Sequence, residues 1–128
     1  MTPKDLEERL IQFAISIIKL SEGMNQSIAG KRLADQIVRS GSSPALNYGE
    51  AQSAESGRDF VHKLGICLKE LRETHINLRI INGADIHLNK NNIANLISES
   101  NELISIFVKS IETSKRKQNK LTNPPSNR

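Results

Sequence analysis

Tryptophan is absent from this 128-residue chain, cysteine occurs once, and aromatic residues make up only 3%. Each scarcity excludes something. With Cys67 alone, neither an internal disulfide nor a cysteine-based metal site can form, which fits a reducing cytoplasm. With only Phe13, Tyr48, Phe60 and Phe107 to supply rings, a core has to be built from Leu, Ile, Val and Ala, a palette that suits helices. Platforms for stacking unpaired bases are nearly missing, which argues against sequence-specific reading of single-stranded RNA. The apolar segment Leu10 to Leu20 is interrupted by Gln12 and Ser16, is too short to span a bilayer, and has no basic leader followed by a cleavage site. Neither membrane insertion nor export is expected.

The sets of residues that carry chemistry are missing as well. Bundles that hold two metals need Glu-x-x-His on two helices, and the chain has no Glu-x-x-His. His62, His75 and His87 are the only histidines, and His75 falls among Leu64, Leu68, Leu71 and Leu78, the place of a satisfied core histidine. Residues Asn25 to Lys31 end in Gly30-Lys31, but a phosphate loop requires Gly where Asn25 stands and a hydroxyl residue where Arg32 stands. The Gly- and Ser-rich run Arg39 to Ser43 lies inside a helical pattern, where no free amides are left for an anion. No enzyme, metal or cofactor is expected.

What is present is amphipathic periodicity over most of the length. Thr2, Pro3 and Asp5 form a helix start, and Leu6, Leu10, Phe13, Ala14 and Ile17 follow on one stripe until Gly23. A second helix is predicted from Ile28 to Ala51, and a third from the capping pair Ser56 and Asp59 to Asn82-Gly83. A fourth carries Ile93, Leu96, Ile97, Leu103, Ile104, Phe107 and Ile111 and fades near Lys115. Four amphipathic helices with short connections predict an all-α, antiparallel up-down-up-down four-helix bundle over 1–117, followed by a disordered basic tail over 118–128.

The second helix is unusual because it holds residues that helices avoid. At 100 degrees per residue, Leu33, Gly41, Pro44, Tyr48 and Ala51 all fall within about 40 degrees of Ile37. A Gly costs about 1 kcal/mol and a Pro about 3 inside a helix, so this stripe of small residues has to recover its cost as a close packing seam. Asn47 and Glu50 flank the seam, with Arg39, Arg58 and Arg72 as candidate partners.

Helices 1 and 3 carry more apolar surface than one contact needs. Ile11, Ile15 and Ile18 lie off the main stripe of helix 1, as do Ile66, Ile76 and Ile80 on helix 3, which predicts a face buried by other copies of the chain. The net charge of +4 is concentrated at one end. Five of 18 basic residues, Lys115, Arg116, Lys117, Lys120 and Arg128, follow residue 114, whereas all 14 acids precede it. That cluster, with Lys115, Arg116, Lys117 and Lys120 dense enough to meet phosphates, makes RNA or DNA a candidate partner through weak, salt-sensitive contacts.

Arg39, Ser43, Asn47 and Glu50, followed by Ser56, Phe60, Leu64, Ile66, Glu70 and Leu71, resemble the bacterial four-helix-bundle family first noticed as proteins encoded in intervening sequences of 23S ribosomal RNA genes. The usual pattern has Ile where Pro44 stands, Ile-Ala where Tyr48-Gly49 stand, and Gly where Ala51 stands. The resemblance implies a homopentameric ring of antiparallel bundles with no established catalytic activity. Read from the residues themselves, Arg39, Asn47, Glu50 and Glu70 are expected to form a polar network that fixes helix register or a subunit contact. A related branch comprises accessory proteins of diversity-generating retroelements, which are similar to basic pentameric barrels that bind nucleic acid and a reverse transcriptase. The expected role is therefore a non-enzymatic oligomeric scaffold, or alternatively a nucleic-acid accessory of a reverse transcriptase.

Overall fold

Residues 1–87 and 89–122 are described by a computed structural model, and every regular element among them is a helix: α1 (Pro3–Glu22), α2 (Ile28–Ala51), α3 (Gly57–Ala84) and α4 (Lys90–Thr122). The capping residues read from the sequence set two of the starts, and Ser27, which the sequence did not mark as a cap, sets a third. Thr2 Oγ1 accepts from the Asp5 N–H at 3.1 Å, and the Asp5 carboxylate accepts from the Thr2 N–H at 2.9 Å. Ser27 caps α2 by accepting from the Gly30 N–H at 3.1 Å, and Ser56 caps α3 by accepting from the Asp59 N–H at 3.0 Å.

Two ends differ from expectation. α3 runs past Asn82-Gly83 to Ala84, because the left-handed residue that closes it is Asp85 (φ 57°, ψ 41°), one of the few non-glycine types that tolerate that geometry. α4 runs through 118–122, five residues that were expected to be unstructured. Lys, Arg and Gln are good helix formers, and no Gly or Pro interrupts them before Pro124. Residues 123–128, the rest of the expected tail, lie outside the described residues.

The helices pack in chain order, α1 on α2, α2 on α3 and α3 on α4, while α4 closes on α1 over a much smaller contact. The diagonal pairs α1/α3 and α2/α4 do not approach at the backbone, which is the antiparallel up-down-up-down bundle. At one end the α1–α2 and α3–α4 connections are tied together: the Asn25 N–H donates to the Ile86 carbonyl at 3.1 Å, and Met24 pairs with His87. Leu10, Ile17, Ile37, Leu64, Leu71, Leu78, Ile81, Leu103 and Phe107 fill the centre with almost no exposure. Tyr48 meets Phe107 edge-on across the bundle, with ring centroids 5.7 Å apart.

The small stripe of α2 is buried over Ile37, Ser40, Gly41, Pro44, Tyr48 and Ala51. A methyl group on Gly41 would sit 2.8 Å from Cγ2 of Ile17, so glycine is what lets α1 and α2 approach here. On the neighbouring side, the Ser40 and Thr74 hydroxyls are hydrogen-bonded at 2.9 Å and the Cys67 thiol donates to the Pro44 carbonyl at 3.5 Å. Both contacts join α2 to α3. Gly30 has a separate cause: a side chain there would meet the Asn25 carbonyl at 1.9 Å, so its place is fixed by the turn into α2.

Candidate functional site

The polar residues expected to form one network are distributed over three separate contacts. Arg39 on α2 reaches α3, where its guanidinium donates to Glu70 at 2.9 Å and also to Glu73. The Glu70 side chain is only 12% exposed, so this pair sits at the edge of the core, and the hydrogen bond to Glu70 raises the arginine pKa further. Glu50 pairs with Lys63 at 3.2 Å, and Asn47 donates within its own helix to the Ser43 carbonyl (3.0 Å) and hydroxyl (2.9 Å). The expectation that Arg39, Arg58 or Arg72 would serve Asn47 and Glu50 is corrected on this point. Three and four residues of helix place Ser43 directly beneath Asn47, whereas Arg39 lies two turns from Asn47 and is drawn across to Glu70.

The apolar residues off the core stripes are solvent-facing. Ile11 and Ile15 are both 38% exposed and Ile18 is 43% exposed on α1; Ile76 and Ile80 are 49% and 48% exposed on α3. Ile66 is half-buried on the side of Glu70 and stands at the margin of the α3 strip. Since α1 and α3 are diagonal in the bundle, the two isoleucine strips occupy different faces of the molecule.

Lys115, Arg116 and Lys117, expected at the fading end of the fourth helix, and Lys120, expected in the irregular tail, are all exposed residues of the last turns of α4. On the helix, Arg116 and Lys120 fall within about 20 degrees of Lys109, so the three form one cationic stripe, with Lys117 about 80 degrees round. Phe13, Phe107 and Tyr48 are committed to the core.

One polar contact has no counterpart in the sequence reading. Arg9 on α1 donates through Nε and Nη2 to both oxygens of Glu99 on α4 (2.8 and 2.7 Å), and Nη2 also reaches Glu102 at 2.6 Å. Residues 90 positions apart carry no local signal of such a pairing. It is a two-pronged clamp on the weakest side of the bundle, and it raises the arginine pKa through the Glu99 hydrogen bonds.

The titratable groups of the core are held by burial or by hydrogen bonds to neighbouring elements. Burial holds Cys67 as a thiol, with its pKa pushed up to about 12. His75 is hydrogen-bonded to Ser100 Oγ at 2.8 Å, and Ser100 also donates to the Ile97 carbonyl at 2.8 Å, which joins α3 to α4. His87, buried between the two connections, accepts from the Asn89 N–H through Nδ1 at 2.9 Å. Among the described residues, no group of three or more His, Cys, Asp and Glu could hold a metal, and no helix is long and apolar enough to cross a membrane.

A sequence model of the family described as 23S rRNA-intervening sequence protein matches residues 5–109. Among solved structures, the chain is similar to a protein of unknown function from the S23 ribosomal protein family of Bacteroides thetaiotaomicron. The two are 27% identical, the match covers 88% of this chain and 99% of that one, and the TM-score is 0.79. Among curated proteins there is no match.

Proposed function

The chain belongs to the 23S rRNA-intervening sequence protein family, and from that premise we propose that it works as a non-enzymatic, cytoplasmic scaffold made of several copies of itself. The observation that carries the reading is the pair of exposed isoleucine strips on two different helices. A two-fold dimer buries the same patch on both copies, whereas a contact of one patch against a different one repeats head to tail and closes into a ring when the rotation allows. Ile11, Ile15 and Ile18 of one copy against Ile76 and Ile80 of the next is such a contact. The subunit number of five comes from the family resemblance.

Light scattering on the purified protein tests the assembly. The expected mass is a multiple of 14.3 kDa at micromolar concentration. A monomer under those conditions would remove the basis of the scaffold reading.

A second reading rests on a different observation, the alignment of Lys109, Arg116 and Lys120 on α4. It makes the protein a nucleic-acid accessory, with a reverse transcriptase as candidate partner by resemblance. Repeating the stripe in every copy of a ring would multiply weak phosphate contacts. Removing residues 115–128 should then abolish binding to structured RNA, and raising salt should weaken binding by the intact protein; equal affinity after truncation would defeat it.

A further inference from the structure

We propose that the groove between the start of α1 and the last turns of α4 docks an acidic amphipathic helix supplied by a protein partner. The groove follows from unequal helix lengths. α1 has 20 residues and α4 has 33, about 30 Å against about 50 Å at 1.5 Å per residue. α4 therefore continues past the point where α1 begins; the start of α3 still lies beside it there, but α1 does not.

The floor of the groove is apolar, formed by Leu6, Phe60, Leu64 and Ile106, and the cavity has a volume of about 540 Å³. Ile106, Lys109, Ser110, Thr113, Ser114 and Lys117 supply the α4 wall at helical spacing, a run of about 16 Å or three turns. Beside it, Arg58 and Lys117 line an adjoining hollow that shares Phe60 and Ser114 with the first. No carboxylate lines either hollow among the described residues, and neither Lys109 nor Lys117 is in an ion pair there.

Shape and charge together select the occupant. The trough is more open than enclosed, which suits one face of a helix better than a small molecule, whose sites bury 70–90% of the ligand. An apolar floor demands an apolar stripe, and a cationic rim demands acids beside it. Lys109 and Lys117 are eight residues apart, about 12 Å along α4, which matches acids two turns apart on the partner helix. Phosphodiester backbones would satisfy the rim and leave the floor uncovered. Leu6 lies about 140 degrees from Ile11 around α1, so the groove is separate from the isoleucine strip, and this proposal and the ring can fail independently. The α4 wall beyond Lys109 also lies outside the residues matched by the family model.

The test is fluorescence anisotropy on the full chain. The probe is a fluorescein-labelled peptide of about 14 residues with leucines at i, i+3, i+4 and i+7 and glutamates on both flanks of that stripe. Saturable binding is expected, weakened about tenfold or more by Lys109→Glu with Lys117→Glu, and likewise by Thr113→Trp, which fills the trough at an exposed position without changing charge. The same peptide with lysine for glutamate should not bind. Absence of saturable peptide binding, or unchanged affinity in both variants, would overturn the proposal. So would either of two alternatives in the absence of peptide binding: a change of oligomeric mass in Thr113→Trp, which would make a second copy the occupant, or duplex RNA binding lost on charge reversal but indifferent to Thr113→Trp.

Discussion

Gly41 and Gly65 are both helical glycines, yet their surroundings give substitution by alanine opposite signs. A methyl at Gly41 would press on Ile17, which is fully buried and β-branched and so has no rotamer to retreat to. Gly41→Ala should cost about 1–2 kcal/mol after its gain in helix propensity, since overpacking costs about 1–3. At Gly65 nothing lies within 4 Å, so Gly65→Ala should stabilise by up to about 1 kcal/mol. Urea denaturation of the two variants reads both signs. The sequence marked Gly41 as part of a packing stripe through its register with Ile37, but it could not name Ile17, because the partner of a seam is set by how two helices dock. Cys67 adds a pH dependence at the same scale. Its folded pKa is raised to about 12 from an ordinary 9.0, so the unfolded chain ionises first and stability should fall as pH rises from about 9 toward 12. Burial of the Tyr48 hydroxyl acts in the same direction. Cys67→Ala should lose part of that alkaline slope, and in the native protein the thiol should react with Ellman's reagent only at the rate of unfolding.

Between elements, the side-chain ties of α2 to α3 and of α1 to α4 differ in how far they lie from water. Arg39→Ala leaves the nearly buried Glu70 carboxylate without its partner and should cost about 1–3 kcal/mol, whereas Glu73→Ala removes an exposed partner and should cost about 0–1 kcal/mol. Equal effects in thermal or urea unfolding would show that Glu70 is better solvated than its position implies. Two helix starts were legible because Thr2 and Ser56 act on residues three positions away, and stripes were legible because periodicity is local. The end of α4 was not. Lys115 to Lys120 lack an apolar stripe, so pattern alone ends the helix there, while intrinsic propensity carries it on to Thr122. Arg9 with Glu99 was invisible for the opposite reason, since only the closed bundle brings them together.

Over the whole molecule, the account turns on two apolar strips that a single bundle leaves in water. Their existence was readable from the sequence as surplus isoleucines, but their placement on diagonal helices, and hence the head-to-tail geometry, depends on the order in which the four helices pack. Ile15→Glu and Ile76→Glu each spoil one strip at an exposed position, so each variant should fold and each should stop a ring from closing. A head-to-tail contact makes a further demand, because a copy with a damaged α1 strip still offers an intact α3 strip to a copy damaged in the other way. The most direct measurement is the light-scattering mass of the wild type, of each variant, and of their equimolar mixture. The account predicts a closed assembly for the wild type, monomers of 14.3 kDa for each variant alone, and a species of twice that mass in the mixture. A monomeric wild type, or a variant that keeps the full assembly, would contradict it.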